Sequence, residues 1–198
     1  MVKSIIVGNL KKVKKAVPKI EKRTSIKFSF TRGGVVIKGK EYEEFIVETI
    51  VRAIDFGFLD EDAFLLFDSD FVLEFIDVKS LTRRKNIKDV RARVIGTGGK
   101  ALATIENLTG SVIVLQSNTL GVIVDSDHLD STVQAIESLV RGAKHGNVFA
   151  YLEKQNVLRK KIDVDDLGLK EGAKKLGVEE GIVEDFSDDI DDLGLKDG

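Results

Sequence analysis

The 198-residue sequence predicts an α+β chain made of two consecutive copies of one unit, followed by an acidic tail. Three observations lead there. Short β-branched runs alternate with stretches whose apolar residues recur at helical spacing. Segments of the second half repeat segments of the first at a nearly constant offset. The charge is also unevenly spread. Residues 163–198 hold 13 Asp/Glu and four Lys/Arg, a net of −9, which leaves +7 on residues 1–162 within an overall −2. The units are expected at 1–69 and 70–160, and the tail at 161–198.

Taken in order, Ser4–Val7 reads as a short strand. Lys11–Arg23 is a basic helix, with Pro18 marking a start or break within it. Ile26–Phe30 alternates apolar and polar residues and predicts a half-buried strand. Thr31-Arg32-Gly33-Gly34 is a turn, and Val35–Ile37 pairs back as a hairpin. Lys40–Phe56 is a helix whose buried stripe is expected at Phe45, Ile46, Thr49, Ile50, Ala53 and Ile54. Gly57 ends it, and Asp60 caps a short helix running to Phe67. Phe71–Val78 opens the second unit as a strand. Asn86–Ile95 is a helix, and a glycine loop joins it to a second helix ending at Leu108. Strand Val112–Leu115, a turn over Gln116–Gly121 and strand Val122–Val124 follow. Helix Asp130–Arg141 buries Val133, Ile136, Leu139 and Val140, and a last helix spans Asn147–Leu158.

The repeat sets Ile20-Glu21-x-x-Thr24 against Ile105-Glu106-x-x-Thr109, an offset of 85. Val51-Arg52 and Gly57 match Val140-Arg141 and Gly146 at 89, which places four extra residues near the second hairpin. Each copy then reads strand-helix-helix-strand-strand-helix, with a trailing helix.

The most informative stretch is Arg91–Gly110, centred on Gly96-Thr97-Gly98-Gly99. A glycine turn opening a helix lets backbone N–H groups approach an anion without interference from Cβ. The flanking Arg91, Arg93 and Lys100 add charge that attracts phosphate. Three phosphate-binding arrangements can be compared. A Walker loop needs a hydroxyl after its Gly-Lys pair, and Gly99-Lys100 is followed by Ala101. A dinucleotide-binding loop follows a buried strand, and Lys88–Arg93 is too charged for one. A KH module places a Gly-x-x-Gly loop between two helices and clamps about four unpaired nucleotides. Val94-Ile95 before the loop and Ile105-Glu106-x-x-Thr109-Gly110 after it fit this third pattern. The fold class is therefore read as two type I KH domains.

On that reading RNA contacts are expected at Arg91, Arg93, Val94, Ile95, Gly96, Thr97, Gly98, Gly99, Lys100, Leu102 and Ile113. Val94, Ile95 and Leu102 would line the groove floor and Val112–Leu115 its far wall. In the first copy the loop position falls on Lys11-Lys12-Val13-Lys14. That copy is expected not to clamp RNA in the KH manner; its lysines either touch phosphate loosely or form a solvated face.

Other chemistry finds little support. The chain has no Cys and two His, so no zinc site has ligands at sensible spacing. No Ser/His/Asp set can be assembled, and no metal, cofactor or catalytic residue is assigned. His145 is expected in a structural hydrogen bond or helix cap, and His128 in solvent. No apolar run approaches the length of a membrane span, and the N-terminal apolar segment is too short for a signal peptide. A cytoplasmic protein is expected. Within the tail, Asp165-Asp166-Leu167-Gly168-Leu169-Lys170-Glu171-Gly172 recurs as Asp191-Asp192-Leu193-Gly194-Leu195-Lys196-Asp197-Gly198. This reads as a disordered, solubilising extension, or as a segment that docks on a basic surface.

Phe71-Val72-Leu73-Glu74-Phe75-Ile76-Asp77-Val78 and Gly142-Ala143-x-His145-Gly146-x-Val148-x-x-Tyr151-Leu152-Glu153 resemble the corresponding segments of the archaeal and eukaryotic Dim-two family, also called partner of NOB-one. The resemblance covers residues 1–158, and Gly-Ala-x-His-Gly-x-Val is its more distinctive part. It implies a non-enzymatic ribosome assembly factor that binds single-stranded rRNA near the 3′ end of the small-subunit precursor. The NOB-one endonuclease and the α subunit of initiation factor two are the implied protein partners. Loss of the first copy's glycines is shared with the eukaryotic branch; the acidic tail departs from the family. The alternatives are a KH adaptor in the exosome or in translation, and a nucleotide-binding enzyme that uses the same loop.

Overall fold

The structure, a computed structural model, describes residues 2–166. Their order is β1 (Val2–Ile6), α1 (Leu10–Glu21), β2 (Lys27–Thr31), β3 (Gly34–Lys38), α2 (Glu41–Phe56), α3 (Asp60–Ala63), β4 (Phe71–Asp77), α4 (Val78–Leu81), α5 (Ile87–Ile95), α6 (Lys100–Thr109), β5 (Val112–Gln116), β6 (Thr119–Asp125), α7 (Ser126–Arg141) and α8 (His145–Asp166). Two three-stranded antiparallel sheets form, β1-β3-β2 and β4-β6-β5. The architecture is α+β, with helices packed on each sheet.

In the first unit α1 and α2 cover one sheet face. Val13, Val17 and Ile20 of α1 and Val47, Ile50, Val51 and Ile54 of α2 close over Ile5, Val35 and Ile37. The buried face of α2 is rotated from the expected stripe. Phe45 is 63% exposed, while Val47 and Val51 are fully buried. The spacing of Val47, Ile50, Val51 and Ile54 follows one helical face more closely than the set containing Phe45 does. Glu44 shares that face and is buried because its Oε1 accepts from the Gly39 N–H at 2.9 Å. Pro18 lies within α1 on its exposed side and does not break the helix. Asp60 is no cap. It is the first residue of α3, and its carboxylate takes the Lys19 ammonium at 2.8 Å.

The repeat is more regular than the sequence suggests. The starts of β2 and β5, of β3 and β6, and of α2 and α7 are each separated by 85, as are Gly57 and Gly142, which end the two long helices. Gly57 therefore corresponds to Gly142 and not to Gly146, and the hairpins do not differ by four residues. Thr24 and Thr109 confirm the register: each hydroxyl donates to the carbonyl four residues back, at Ile20 and Ile105. The length difference falls earlier. Between its first two strands the first unit has α1 alone, where the second has α4, α5 and α6. Only the second unit contains the helix-loop-helix arrangement expected of both.

The second hairpin turns at Ser117-Asn118, with Ser117 at φ 54°, and Gly121 lies inside β6. The expected turn over Gln116–Gly121 is thus too wide. A glycine inside a strand often marks a close approach. A Cβ on Gly121 would lie 2.7 Å from the Phe56 ring and 2.8 Å from the Phe58 ring. This contact joins the two units. Val112, Val114, Leu73 and Ile123 face the first unit's core, whereas Ile113, Leu120, Val122 and Val124 face α5–α8. The second sheet is consequently covered on both sides. Helix α7 starts at Ser126, four residues before the expected start, because the Asp125 carboxylate accepts from the Asp127 N–H at 2.9 Å. It buries Ser131, Thr132 and Ala135 with Ile136, Leu139 and Val140; Val133 is half-buried. Helix α8 begins at His145 and reaches Asp166, beyond the expected end at Leu158 and past the boundary expected at 160. The rest of the acidic tail, including most of its repeat, lies outside the described residues.

Candidate nucleic-acid interface

Helix α5 places Val90 and Val94 in the core, 1% exposed each, because they stand one turn apart on one face. Arg91 and Ile95 are half-buried on the neighbouring face. The chain then reverses through Gly96, at φ 74° and ψ 174°, a conformation open almost only to glycine. A Cβ there would also lie 2.6 Å from the Cβ of Ala101. Gly98 and Gly99 follow at φ 62° and 79°, and the space where their Cβ atoms would be is empty. So the first glycine permits a close approach, and the other two hold a left-handed backbone at an open surface. Thr97, Gly98 and Lys100 are exposed.

Gly99 is the N-cap of α6 and supplies no side chain to the first-turn N–H groups. The positive end of α6 therefore faces outward beside the Lys100 ammonium, the electrostatic condition for holding an anion. The loop joins two helices and does not leave a strand. Both sheets are antiparallel, unlike the parallel sheet of a dinucleotide-binding fold.

On the β5 side of the loop, half-buried Ile95, Leu102 and Leu115 provide apolar surface. Val94 and Ile113, 1% and 8% exposed, lie behind them in the core. Val112 and Val114 point away to the first unit, so β5 presents alternate residues and not one continuous wall. The Ile113 N–H donates to Glu106 Oε1 at 2.8 Å, which fixes α6 against β5.

Arg93 takes a position that sequence spacing did not reveal. Its terminal Nη2 donates to the Gly142 carbonyl at 2.9 Å and to the Ala143 carbonyl. In return the His145 ring donates from Nε2 to the Arg93 carbonyl at 2.9 Å. The end of α5 and the α7–α8 junction thus hold each other, and the Gly-Ala-x-His segment is the partner of the residue three before the loop. His145 makes the structural hydrogen bond expected of it. His128 is not a solvated residue: it is half-buried in the first turn of α7, and its Nδ1 is buried without a partner. Burial, followed by the nearby Arg159 charge, lowers its pKa.

The first unit has no such elbow. Its turn before α1 is closed by its own carboxylate: Asp55 accepts from the Gly8 N–H at 3.1 Å and the Asn9 N–H at 2.6 Å. Lys11, Lys12, Lys14 and Lys15 of α1 remain exposed. Among the described residues no group of His, Cys, Asp and Glu is placed to hold a metal ion, and no helix is long and apolar enough to cross a membrane.

A family model described as eukaryotic type KH-domain (KH-domain type I) matches residues 72–157. A KH domain-containing protein of Methanocaldococcus jannaschii is 32% identical over 179 residues, 82% of this chain and 78% of the relative. The pre-rRNA-processing protein pno1 of Aspergillus fumigatus is 30% identical over 139 residues, 68% of this chain; the chain spans about half, 51%, of that relative. Among solved structures, Dim2p from Pyrococcus horikoshii superposes with a TM-score of 0.71 at 27% identity, covering 78% of this chain and 99% of the other. A chain of the a/eIF2alpha–aDim2p–rRNA complex from the same organism gives 0.69 at 27% identity, covering 78% and 93%.

Proposed function

Because the chain belongs to the family of archaeal Dim2p and eukaryotic PNO1, we propose that it is an RNA-binding factor of small-subunit ribosome assembly. Residues 1–69 then form a degenerate KH domain without a glycine loop, and residues 70–160 a type I KH domain. The acidic segment from 161, whose first residues continue α8 to Asp166, is a solubilising tail. The observation that carries this reading is the exposed glycine elbow between α5 and α6, with left-handed backbone at Gly98 and Gly99.

In this reading single-stranded pre-rRNA of the small subunit, near its 3′ end, lies along α5, α6 and β5. Thr97, Gly98 and Gly99 approach the backbone of about four nucleotides. Gly96 gives the elbow its shape. Lys100 and Arg91 neutralise phosphate, and Ile95 and Leu102 support bases, with Val94 and Ile113 packed behind. Arg93 acts from the protein side, setting the exit angle of α5. The first unit contributes phosphate contacts through the α1 lysines. No residue is assigned a catalytic step, and the protein acts by binding, in the cytoplasm. The complex of the P. horikoshii relative supports the α subunit of initiation factor two as a partner. The NOB-one endonuclease is proposed on the family's role alone.

Replacing Gly98 and Gly99 together by Asp tests the mechanism. Asp tolerates left-handed backbone better than most residues, and both sites have open space, so the fold should survive. Two carboxylates at the phosphate position should reduce single-stranded RNA affinity by at least about a hundredfold, since like charge there costs several kcal/mol. Unchanged affinity in a folded double variant rules the mechanism out.

A further inference from the structure

The glycine elbow has two unlike sides. The side facing β5 carries the apolar residues Ile95, Leu102 and Leu115. On the other side a cavity of about 470 Å³ opens between the end of α5, the outer face of α6 and the first turns of α8. Arg93, Thr97, Lys100, Thr104, His145 and Phe149 contribute to its wall. Lys100 and Thr104 stand one turn apart on α6. Leu102 and Glu106 occupy the opposite face, and Glu106 is tied to β5. The cavity and the β5-facing apolar surface are therefore separated by the width of one helix and share the elbow as their rim.

The lining is chemically mixed in a particular way. Phe149 supplies an aromatic wall, with the His145 ring beside it at 6.1 Å between centroids and 54° between planes. The Lys100 ammonium and the Thr97 hydroxyl stand at the exposed rim. Arg93 contributes to the wall, with its Nη2 bonded to the α7–α8 junction and its Nε sealed beneath the surface. The cavity falls within the usual size range of small-ligand pockets. An aromatic face, a hydroxyl and a cation at the mouth suit a nucleobase still joined to its phosphate. Two cationic side chains in the lining make a purely apolar ligand unsuitable.

We propose that this cavity takes the nucleotide flanking the stretch held on the elbow, its base against Phe149 and its phosphate at Lys100. The RNA would then cross the elbow and be held on both sides of it. The proposal deepens the RNA-binding reading above and rests on it.

A length series of RNA cut from a sequence selected out of a random pool tests it, read by fluorescence anisotropy. The shortest RNA that binds is compared with versions lengthened by one and two nucleotides at each end in turn. For the unmutated protein, lengthening at one end should tighten binding about ten-fold, the size of one base–aromatic stack. Phe149→Ala should bind the short RNA as before and lose that gain. Thr104→Tyr, which fills the cavity from the surface of α6, should do the same, and it decides the matter should Phe149→Ala prove unstable on melting. Photocrosslinking of 5-iodouridine at the added position should attach to Phe149. If the short RNA binds but lengthening adds nothing, or if both variants keep the gain, the cavity is not a nucleotide site and the elbow mechanism stands. If the unmutated protein binds neither length, the RNA reading falls and this proposal with it.

Discussion

His128 shows how one side chain can set a pH response. Its ring is half-buried, with Arg159 of α8 reinforcing the effect of burial, while Asp125 and Asp127 act in the opposite direction. The net shift is downward, so the unfolded chain binds this proton more readily than the folded one. The stability it contributes is therefore full above the ordinary histidine range and is lost as pH falls through about 6.5 and below. Replacing His128 by Gln should flatten the fall in melting temperature between pH 7 and pH 5 relative to the parent. Equal slopes for the two proteins would refute the assignment. Asp55 gives a second test at this scale. Its carboxylate takes two backbone N–H groups at the turn before α1. Asp55→Ala should cost about 1–2 kcal/mol in denaturant unfolding, the range for charge-assisted bonds discounted for partial exposure. This role of Asp55 was not legible in the sequence, because its partners stand 46 and 47 positions away.

At the scale of elements, β6 carries the sharpest prediction. Gly121→Ala places a methyl group against the Phe56 and Phe58 rings, neither of which can retreat without disturbing the other. A loss of about 1–3 kcal/mol is expected, the usual range for an overpacked core. Little change in the unfolding midpoint would mean that the contact between the units is loose. The same glycine explains an error of sequence reading: next to Ser117 and Asn118 it looks like turn chemistry, and only the aromatic rings across the junction reveal it as a strand residue. Elements whose cause is local were legible. Helix α5 starts after Asn86, whose side-chain amide donates to the Asp89 carboxylate of the first turn at 2.7 Å, and α6 stops at Gly110 in left-handed backbone. The orientation of α2 was legible only in part: the spacing of Val47, Ile50, Val51 and Ile54 favours the buried face, but Phe45 is also apolar and the packed sheet completes the choice. The elbow itself was legible because three glycines and three cations lie within ten residues. The tie between Arg93 and His145 spans 52 residues and was not.

For the whole molecule, charge separation predicts how binding responds to salt. If about four phosphates are neutralised, log K should fall against log salt with a slope of about −3, following the relation for single strands. A slope near zero would mean that bases alone hold the RNA. The +7 of residues 1–162 is set against −9 in residues 163–198, so removing residues 167–198 raises the net charge of the protein without touching the described fold. Association with RNA should then be faster at low salt and little changed at high salt, where long-range attraction is screened.

The bond between the Ile113 N–H and Glu106 has one more consequence. Strand β5 lies at the border of its sheet, where unpaired N–H groups invite a strand from another copy of the chain. Glu106 occupies one of these donors and sets a carboxylate in the path of any incoming backbone. A side chain that looks like mere internal bracing thus discourages β5 from recruiting neighbouring chains into amyloid-like stacks.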